Sequence, residues 1–408
     1  MTRPLEIVEA ETSAVVESLQ RALAHDGPAI LPRESSDAEH RSGGALPSEV
    51  PGRVALVVET SGSSGAPKRV MLSADALLSS AAATENALGG GGQWLLALPV
   101  HYIAGLQVLV RSITAGTAPV VQAAVVHGAG HFSASQFTDL AERLTHPRRY
   151  TSLVPAQLAR VVEAAETDER VRRAARRFDA VLIGGQALPR RLHERARALE
   201  MRVVRTYGSS ETAGGCVYDG RPIGSAVVRE VGGELQIGGP MLAEGYLGDD
   251  ELTADRFVVA EGRRWYRTSD GGSVEDGVVA VTGRLDNVII SGGVKVSLDR
   301  VERLVQGVPG LESAVVVAAA DETWGQVPVV VAESGVGPAA GAGAGAGPGA
   351  GAGVDPDESW RAARAAVIAQ LGRPAAPAEI EWVPALPRLA SGKPDRQSVA
   401  SWFQGPRD

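Results

Sequence analysis

The chain has 408 residues, 44% of them hydrophobic, which is enough to bury a core in about two or three domains and excludes a peptide or a small disulfide scaffold. Forty basic against 48 acidic residues leave a net charge of -8, so electrostatics give no reason to expect a nucleic acid as the main partner. The single cysteine, Cys216, builds neither an internal disulfide nor a thiolate metal cage, which fits a reducing, cytoplasmic compartment; the first ten residues carry Glu6 and Glu9 and no apolar leader.

Between residues 54 and 206 short apolar runs alternate with helical patterns. Strands are predicted at 54–58, 94–98, 119–121, 150–154, 180–183 and 202–205, and helices at 74–88, 103–113, 134–144, 156–165 and 189–199. The run 94–110 is uncharged, but Pro99, His101 and Gly105 interrupt it, so it reads as strand, loop and helix rather than as a membrane span. Such alternation predicts βαβ units and a mainly parallel sheet, with ligands at the carboxyl ends of the strands. Residues 217–283 change texture: short strands punctuated by Gly232-Gly233, Gly238-Gly239 and Gly271-Gly272 predict an antiparallel, barrel-like subdomain.

From residue 284 onward, strand-like runs at 314–318 and 327–332 and helices at 298–306 and 358–371 predict a small α+β domain. Within it, 339–353 is almost entirely Gly and Ala and buries too little side chain to offset its ordering entropy, so it reads as a disordered loop insertion. The expected fold is α/β: an N-terminal domain over 1–283, β-rich from about 217, and a small C-terminal domain over 284–408.

The sharpest local feature is Thr60-Ser61-Gly62-Ser63-Ser64-Gly65-Ala66-Pro67-Lys68, directly after the strand at 54–58 and before a helix that Ser73 caps. Small residues let backbone N–H groups close on phosphate oxygens, the hydroxyls add donors, and Lys68 adds charge. The glycine spacing is not that of a Walker A loop, and a flexible Ser/Gly turn is the bland alternative. Only three of the forty basic residues are lysines, namely Lys68, Lys295 and Lys393; in so arginine-biased a chain a lysine marks either a place where a compact ammonium is needed or leftover codon usage.

This loop resembles the phosphate loop of the acyl-adenylate-forming superfamily, and further motifs follow in that family's order as far as Arg396. Tyr207-Gly208-Ser209-Ser210-Glu211 resembles Tyr-Gly-x-Thr-Glu; the resemblance places Tyr207, Gly208 and Ser210 by the α-phosphate and Glu211 on Mg²⁺. Tyr266-Arg267-Thr268-Ser269-Asp270 resembles Tyr-Arg-Thr-Gly-Asp with Ser269 in place of glycine, and implies that Asp270 accepts the ribose hydroxyls. Gly184-Gly185-Gln186 would let an adenine ring lie on the backbone, although a plain turn explains the glycines equally well. Gly283-Arg284-Leu285-Asp286 is similar to the family's hinge, with Arg284 toward the ribose and Asp286 as the pivot of a mobile small domain. Gly292, Gly293 and Lys295, followed by Glu302, match the loop presented to the pantetheine arm of CoA. The segment 387–396 matches the terminal motif whose lysine, here Lys393, bridges the carboxylate and the α-phosphate.

The resemblance implies an ATP-dependent acid–thiol ligase with ATP, Mg²⁺ and CoA as its small-molecule set. Lys68, Glu211 and Lys393 would be catalytic, and Cys216 structural. It leaves room for a homodimer. Leu98-Pro99-Val100-His101-Tyr102-Ile103-Ala104-Gly105 resembles a segment of the o-succinylbenzoate-CoA ligases, menaquinone-pathway members of the superfamily, with Tyr102 in place of a second histidine. His101 then reads as an acyl-pocket or thiol-gate residue beside Gly185 and Tyr207, or else as a satisfied core histidine. Another aryl- or acyl-CoA ligase, and a stand-alone adenylation enzyme that loads a carrier protein, remain as alternatives.

Overall fold

The computed structural model describes residues 1–34, 46–60, 67–123, 132–334, 355–389 and 394–403. Residues 61–66 of the phosphate loop, Lys393 and the Gly/Ala run at 339–353 lie outside the described residues. The fold is mixed α/β with several sheets, and the chain divides into two compact units. One comprises Met1–Leu188, Arg195–Thr268 and Ser273–Ala280; the other comprises Pro189–Glu194, Ser269–Gly272 and Val281–Asp408.

In the first unit, a seven-stranded sheet has the spatial order Arg221–Pro222, Gly214–Tyr218, Val203–Ser209, Ala180–Ile183, Arg149–Leu153, Gln93–Leu96, Val120–Val121. The five strands from Val203–Ser209 to Val120–Val121 are parallel, and the other two are antiparallel additions. Ala180–Ile183 is buried throughout, as a strand covered on both faces requires. The crossover helices start where the sequence provides caps: Ser73 Oγ accepts the Ala76 N–H (3.3 Å), and Pro155 opens a helix in which Gln157 Oε1 accepts the Val154 N–H (3.1 Å).

The parallel sheet does not include the run at 54–58. That run extends to Val54–Thr60 and joins a second, six-stranded sheet with Thr2–Glu9 and Ala29–Arg33, strands that the sequence reading left unassigned. Lys68–Ser73 is also a strand here, antiparallel to Val54–Thr60 with Thr60 opposite Lys68. Its alternation explains why: Val70 and Leu72 are buried and Arg69 and Met71 less so, a period of two over four residues. The phosphate loop therefore closes a β-hairpin, and the helix capped by Ser73 begins one strand later than a strand–loop–helix arrangement would place it. Within 217–283, Val227–Val231, Glu234–Gly238, Phe257–Ala260 and Arg263–Glu275 form a third, largely antiparallel sheet.

The second unit is built on a sheet ordered Val294–Ser297, Val288–Ser291, Gly325–Glu333, Val315–Asp321, with Ile380–Val383 added parallel to Gly325–Glu333. Consecutive valines face opposite ways. Val316 and Val330 pack with Val301, Val305 and Val367, while Val315, Val317, Val329 and Val331 pack with Leu386 and Val399. Both faces are thus covered by helices.

Candidate active site

In the first unit, the carboxyl ends of adjacent parallel strands bring four sequence-distant segments to one edge. His101 follows Gln93–Leu96, Gln157 follows Arg149–Leu153, Gly184-Gly185-Gln186 follows Ala180–Ile183, and Tyr207-Gly208 ends Val203–Ser209. Gln157 ties two of these ends together, since its Nε2 donates to the Ala97 carbonyl (2.8 Å). Thr206 Oγ1 donates to the Ile183 carbonyl (3.2 Å), and a Cβ on Gly184 would lie 2.4 Å from that same Oγ1. Gly185 has φ +80, where a side chain is strained.

The segment 207–214 is wound tightly. A Cβ on Gly208 would lie 2.2 Å from the Gly214 carbonyl oxygen, so the two backbones touch. Thr212 Oγ1 accepts the Ser209 N–H (2.8 Å) and donates to the Gly214 carbonyl (2.7 Å), and Ala213 takes φ +47. This holds Ser210 and Glu211 in a buried 3-10 turn. Glu211 Oε1 accepts the Tyr246 hydroxyl (2.8 Å), and its carbonyl accepts the Ala243 N–H (2.8 Å). Burial first, then the Glu211 carboxylate, push the Tyr246 phenol above its usual pKa, so it remains a donor. Glu211 Oε2 has no protein partner among the described residues. Tyr246, which sequence reading missed, pairs with Val70 in the strand that begins at Lys68. A continuous path thus runs from the phosphate hairpin through Tyr246 to Glu211.

At the base of that hairpin, Thr60 Oγ1 donates to the Lys68 carbonyl (3.4 Å). Glu59 bridges Arg33 (2.5 Å) and Arg69 (3.1 Å). Burial works against the Glu59 charge, but hydrogen bonds from both arginines outweigh it and hold the carboxyl below its usual pKa. Two arginines thus share one carboxylate at the base of the loop.

His101 is 9% exposed, its Nδ1 3.5 Å from Glu34 Oε1 and its ring 4.1 Å from that of Tyr102. The helix that follows, Ile103–Thr114, starts against the Pro99 carbonyl: a Cβ on Gly105 would lie 2.2 Å from that oxygen. From Gly105 to Ser112 every residue of it is buried. Arg111 is one of them, 7% exposed, its guanidinium carbon 5.1 Å from the Trp94 ring centre, its Nε without a hydrogen-bond partner and the group without an ion pair among the described residues. Burial lowers its pKa, and the nearby Tyr218 offsets part of that. Sequence reading missed Arg111, although an otherwise uncharged helix with one arginine was the signal available. Cys216, buried in the same unit, has its thiol pushed up to about 12 by burial, which fits the structural role expected of it.

In the second unit, Arg284 donates through Nε and Nη2 to both Asp286 oxygens (2.9 and 2.7 Å), and its Nη1 lies 3.5 Å from Asp270 Oδ1. Asp299 pins this segment: Oδ2 accepts the Arg284 N–H and Oδ1 the Asn287 side chain, each at 2.6 Å. Ser269 has φ +59, which accounts for glycine in the motif it resembles, and its carbonyl accepts the Leu285 N–H (2.8 Å). Gly292 and Gly293, at φ +55 and +80, form the two-residue turn between Val288–Ser291 and Val294–Ser297. A Cβ on Gly292 would meet the Trp324 ring at 2.5 Å, whereas one on Gly293 would meet nothing within 4 Å. Lys295 is exposed opposite Ile290. The base of the loop that carries Lys393 is closed by the Asp395 N–H on the Pro387 carbonyl (2.8 Å), and Arg396 forks onto Glu302. Burial opposes the Arg396 charge, but Glu302 outweighs it and raises the pKa.

A family model described as AMP-binding enzyme matches residues 5–229. The chain is 38% identical over 401 residues to a protein of Mycobacterium tuberculosis (strain ATCC 25618 / H37Rv) named probable 2-succinylbenzoate–CoA ligase, covering 97% of both chains. It is 31% identical over 327 residues to the 2-succinylbenzoate–CoA ligase of Escherichia coli (strain K12), covering 78% of this chain and 67% of that one. The solved o-succinylbenzoate CoA synthetase from Bacillus subtilis, in complex with the acyl-adenylate intermediate OSB-AMP, has the same fold: TM-score 0.70, 22% identity, 99% of this chain and 88% of that chain covered. With a family model over more than half its length and a relative matched end to end, the chain belongs to the AMP-binding enzymes.

Proposed function

We propose that this chain is an o-succinylbenzoate-CoA ligase that activates its acid as an acyl-adenylate. The observation that carries the reading is the match along 97% of both chains to a relative of that name, which spans every motif from the phosphate hairpin to the terminal loop. Arg111 supports the substrate class. A buried guanidinium without a carboxylate partner among the described residues suits an acid that keeps a second carboxylate after the first is activated.

The carboxylate oxygen attacks the α-phosphorus of ATP, the bond to the β-phosphate oxygen breaks, and pyrophosphate leaves. The thiol sulfur of CoA then attacks the acyl carbon and AMP departs. The first step sets two anions against each other, and the second expels AMP as an anion while the thiol gives up its proton, so the chain's work is positioning and charge stabilisation. Lys68 and the backbone of residues 60–65 hold the phosphates, Tyr207 and Gly185 flank the adenylate, and Asp270 with Arg284 takes the ribose. Lys393 spans the carboxylate and the α-phosphate.

Glu211 fits Mg²⁺, for one oxygen is fixed by Tyr246 and the other is open. No group of three or more His, Cys, Asp or Glu side chains forms a metal cage among the described residues, so phosphate oxygens and water would complete the shell, as Mg²⁺ prefers. Bound there, the ion would neutralise phosphate charge. Turning about Asp286, the second unit would present Lys393 to the first step and Gly293 to the second.

The test is thioester formation across a panel of carboxylic acids with ATP and CoA. The reading expects o-succinylbenzoate to have the highest kcat/KM. A better acid, or acylation of a carrier protein in preference to CoA, overturns it.

A further inference from the structure

Gln107 is 1% exposed, and neither its Nε2 nor its Oε1 has a hydrogen-bond partner among the described residues. Folded proteins pair such groups, because a buried amide left unsatisfied keeps its full desolvation cost. Its neighbours indicate what the amide is for. In the Ile103–Thr114 helix it stands four residues after Ile103 and four before Arg111, so the three share one face. A Cβ on Gly214 would lie 3.3 Å from Gln107 Cγ and 4.0 Å from Ile103 Cγ1, so this helix face packs on the backbone that follows Glu211. Gly214 in turn touches Gly208. The Gln107 amide therefore sits between the Tyr207–Glu211 turn, where the acyl-adenylate forms, and Arg111 one helical turn further on.

We propose that Gln107 reads the ketone of the acyl group, its Nε2 donating to the keto oxygen. The proposal rests on the substrate reading above. o-Succinylbenzoate carries, in order, the succinyl carboxylate, two methylenes, a ketone, an aromatic ring and a second carboxylate. The polar groups met along the helix face follow the same order: the adenylate turn, then the Gln107 amide, then the Arg111 guanidinium. A ketone offers lone pairs and no proton, so it suits the amide N–H and gives nothing to a carboxylate or an apolar side chain. A site built to hydrogen-bond a substrate group rejects an analogue that lacks it, because its own donor is then left unpaired.

The experiment compares kcat/KM for o-succinylbenzoate and for the analogue with a methylene in place of the ketone, in the wild type and in Gln107→Leu. The wild type is expected to prefer the ketone by about tenfold or more. Gln107→Leu is expected to erase that preference, with the KM for ATP unaltered and the melting temperature of the substrate-free protein not lowered, since an unpaired amide has been removed. Gln107→Met gives the same readout if the leucine variant folds poorly. A wild type indifferent to the ketone, or a preference that survives in both variants, overturns the assignment. Failure of the wild type to turn over o-succinylbenzoate at all counts instead against the substrate reading.

Discussion

Arg111→Leu separates a binding role from a structural one, because the two predict opposite signs for stability. The side chain is 7% exposed with no ion pair among the described residues, so folding strips water from a guanidinium and returns no carboxylate. The effective penalty for such a charge is several kcal/mol. The Trp94 ring, 5.1 Å away, returns at most about 2 kcal/mol of it. Replacement by an apolar side chain should therefore stabilise the substrate-free protein by about 1–3 kcal/mol, a rise in Tm of roughly 2–12 °C at about 2–4 °C per kcal/mol. The same substitution leaves the second carboxylate of the substrate buried and unpaired. That costs about 2–5 kcal/mol, or roughly 30- to 5,000-fold in kcat/KM. Thermal unfolding without ligand, and steady-state kinetics with o-succinylbenzoate and with an analogue lacking the ring carboxylate, supply the readouts. The loss should be confined to the dicarboxylate. A lower Tm together with equal losses for both acids would refute the reasoning and leave Arg111 a packing residue.

Further outcomes follow from the same geometry. Tyr246→Phe removes the hydroxyl that holds Glu211 Oε1 and should cost about 10–100-fold in ATP–pyrophosphate exchange, read as a higher Mg²⁺ concentration needed for half-maximal rate. Gly293→Leu introduces a side chain at φ +80 with nothing within 4 Å of its Cβ, so it should cost about 1–2 kcal/mol in the second unit and block attack by CoA on supplied acyl-AMP, while pyrophosphate exchange continues. Cys216, its thiol raised to about 12, stays protonated until pH approaches that value; a disulfide reagent at pH 8 should label no thiol in the native protein and one after denaturation.

Much of this architecture was legible in the sequence, for identifiable reasons. The buried run 180–183 and its neighbours are parallel strands, and such strands read as continuous apolar runs whatever lies above them. Ser73 was legible as a cap because capping is local chemistry. The strand Lys68–Ser73 was not, since its identity depends on pairing with Val54–Thr60, and its short alternation is obscured by the turn residues before it. The N-terminal strand–helix–strand, Thr2–Arg33, carries no motif and went unassigned. The motif residues were visible one by one, but their supports were not. Tyr246 reaches Glu211 across 35 residues, and Asp299 holds the Arg284 backbone from a helix 15 residues on, so neither spacing has a local signature. Gln107 and Arg111 were detectable in principle. A helix buried on nearly every side must bury its polar side chains as well, and two of them four residues apart on one face point to a shared partner.

Isotope transfer tests most directly the central claim, that the acid is activated as an adenylate before the thiol attacks. o-Succinylbenzoate labelled with heavy oxygen in its succinyl carboxylate would be incubated with the protein, ATP, Mg²⁺ and CoA, and the products resolved by mass spectrometry. If the carboxylate attacks the α-phosphorus, one labelled oxygen appears in AMP, the pyrophosphate stays unlabelled, and o-succinylbenzoyl-CoA forms in equal amount. Label in inorganic phosphate together with ADP would mean attack at the γ-phosphorus and an acyl phosphate, and would contradict the account.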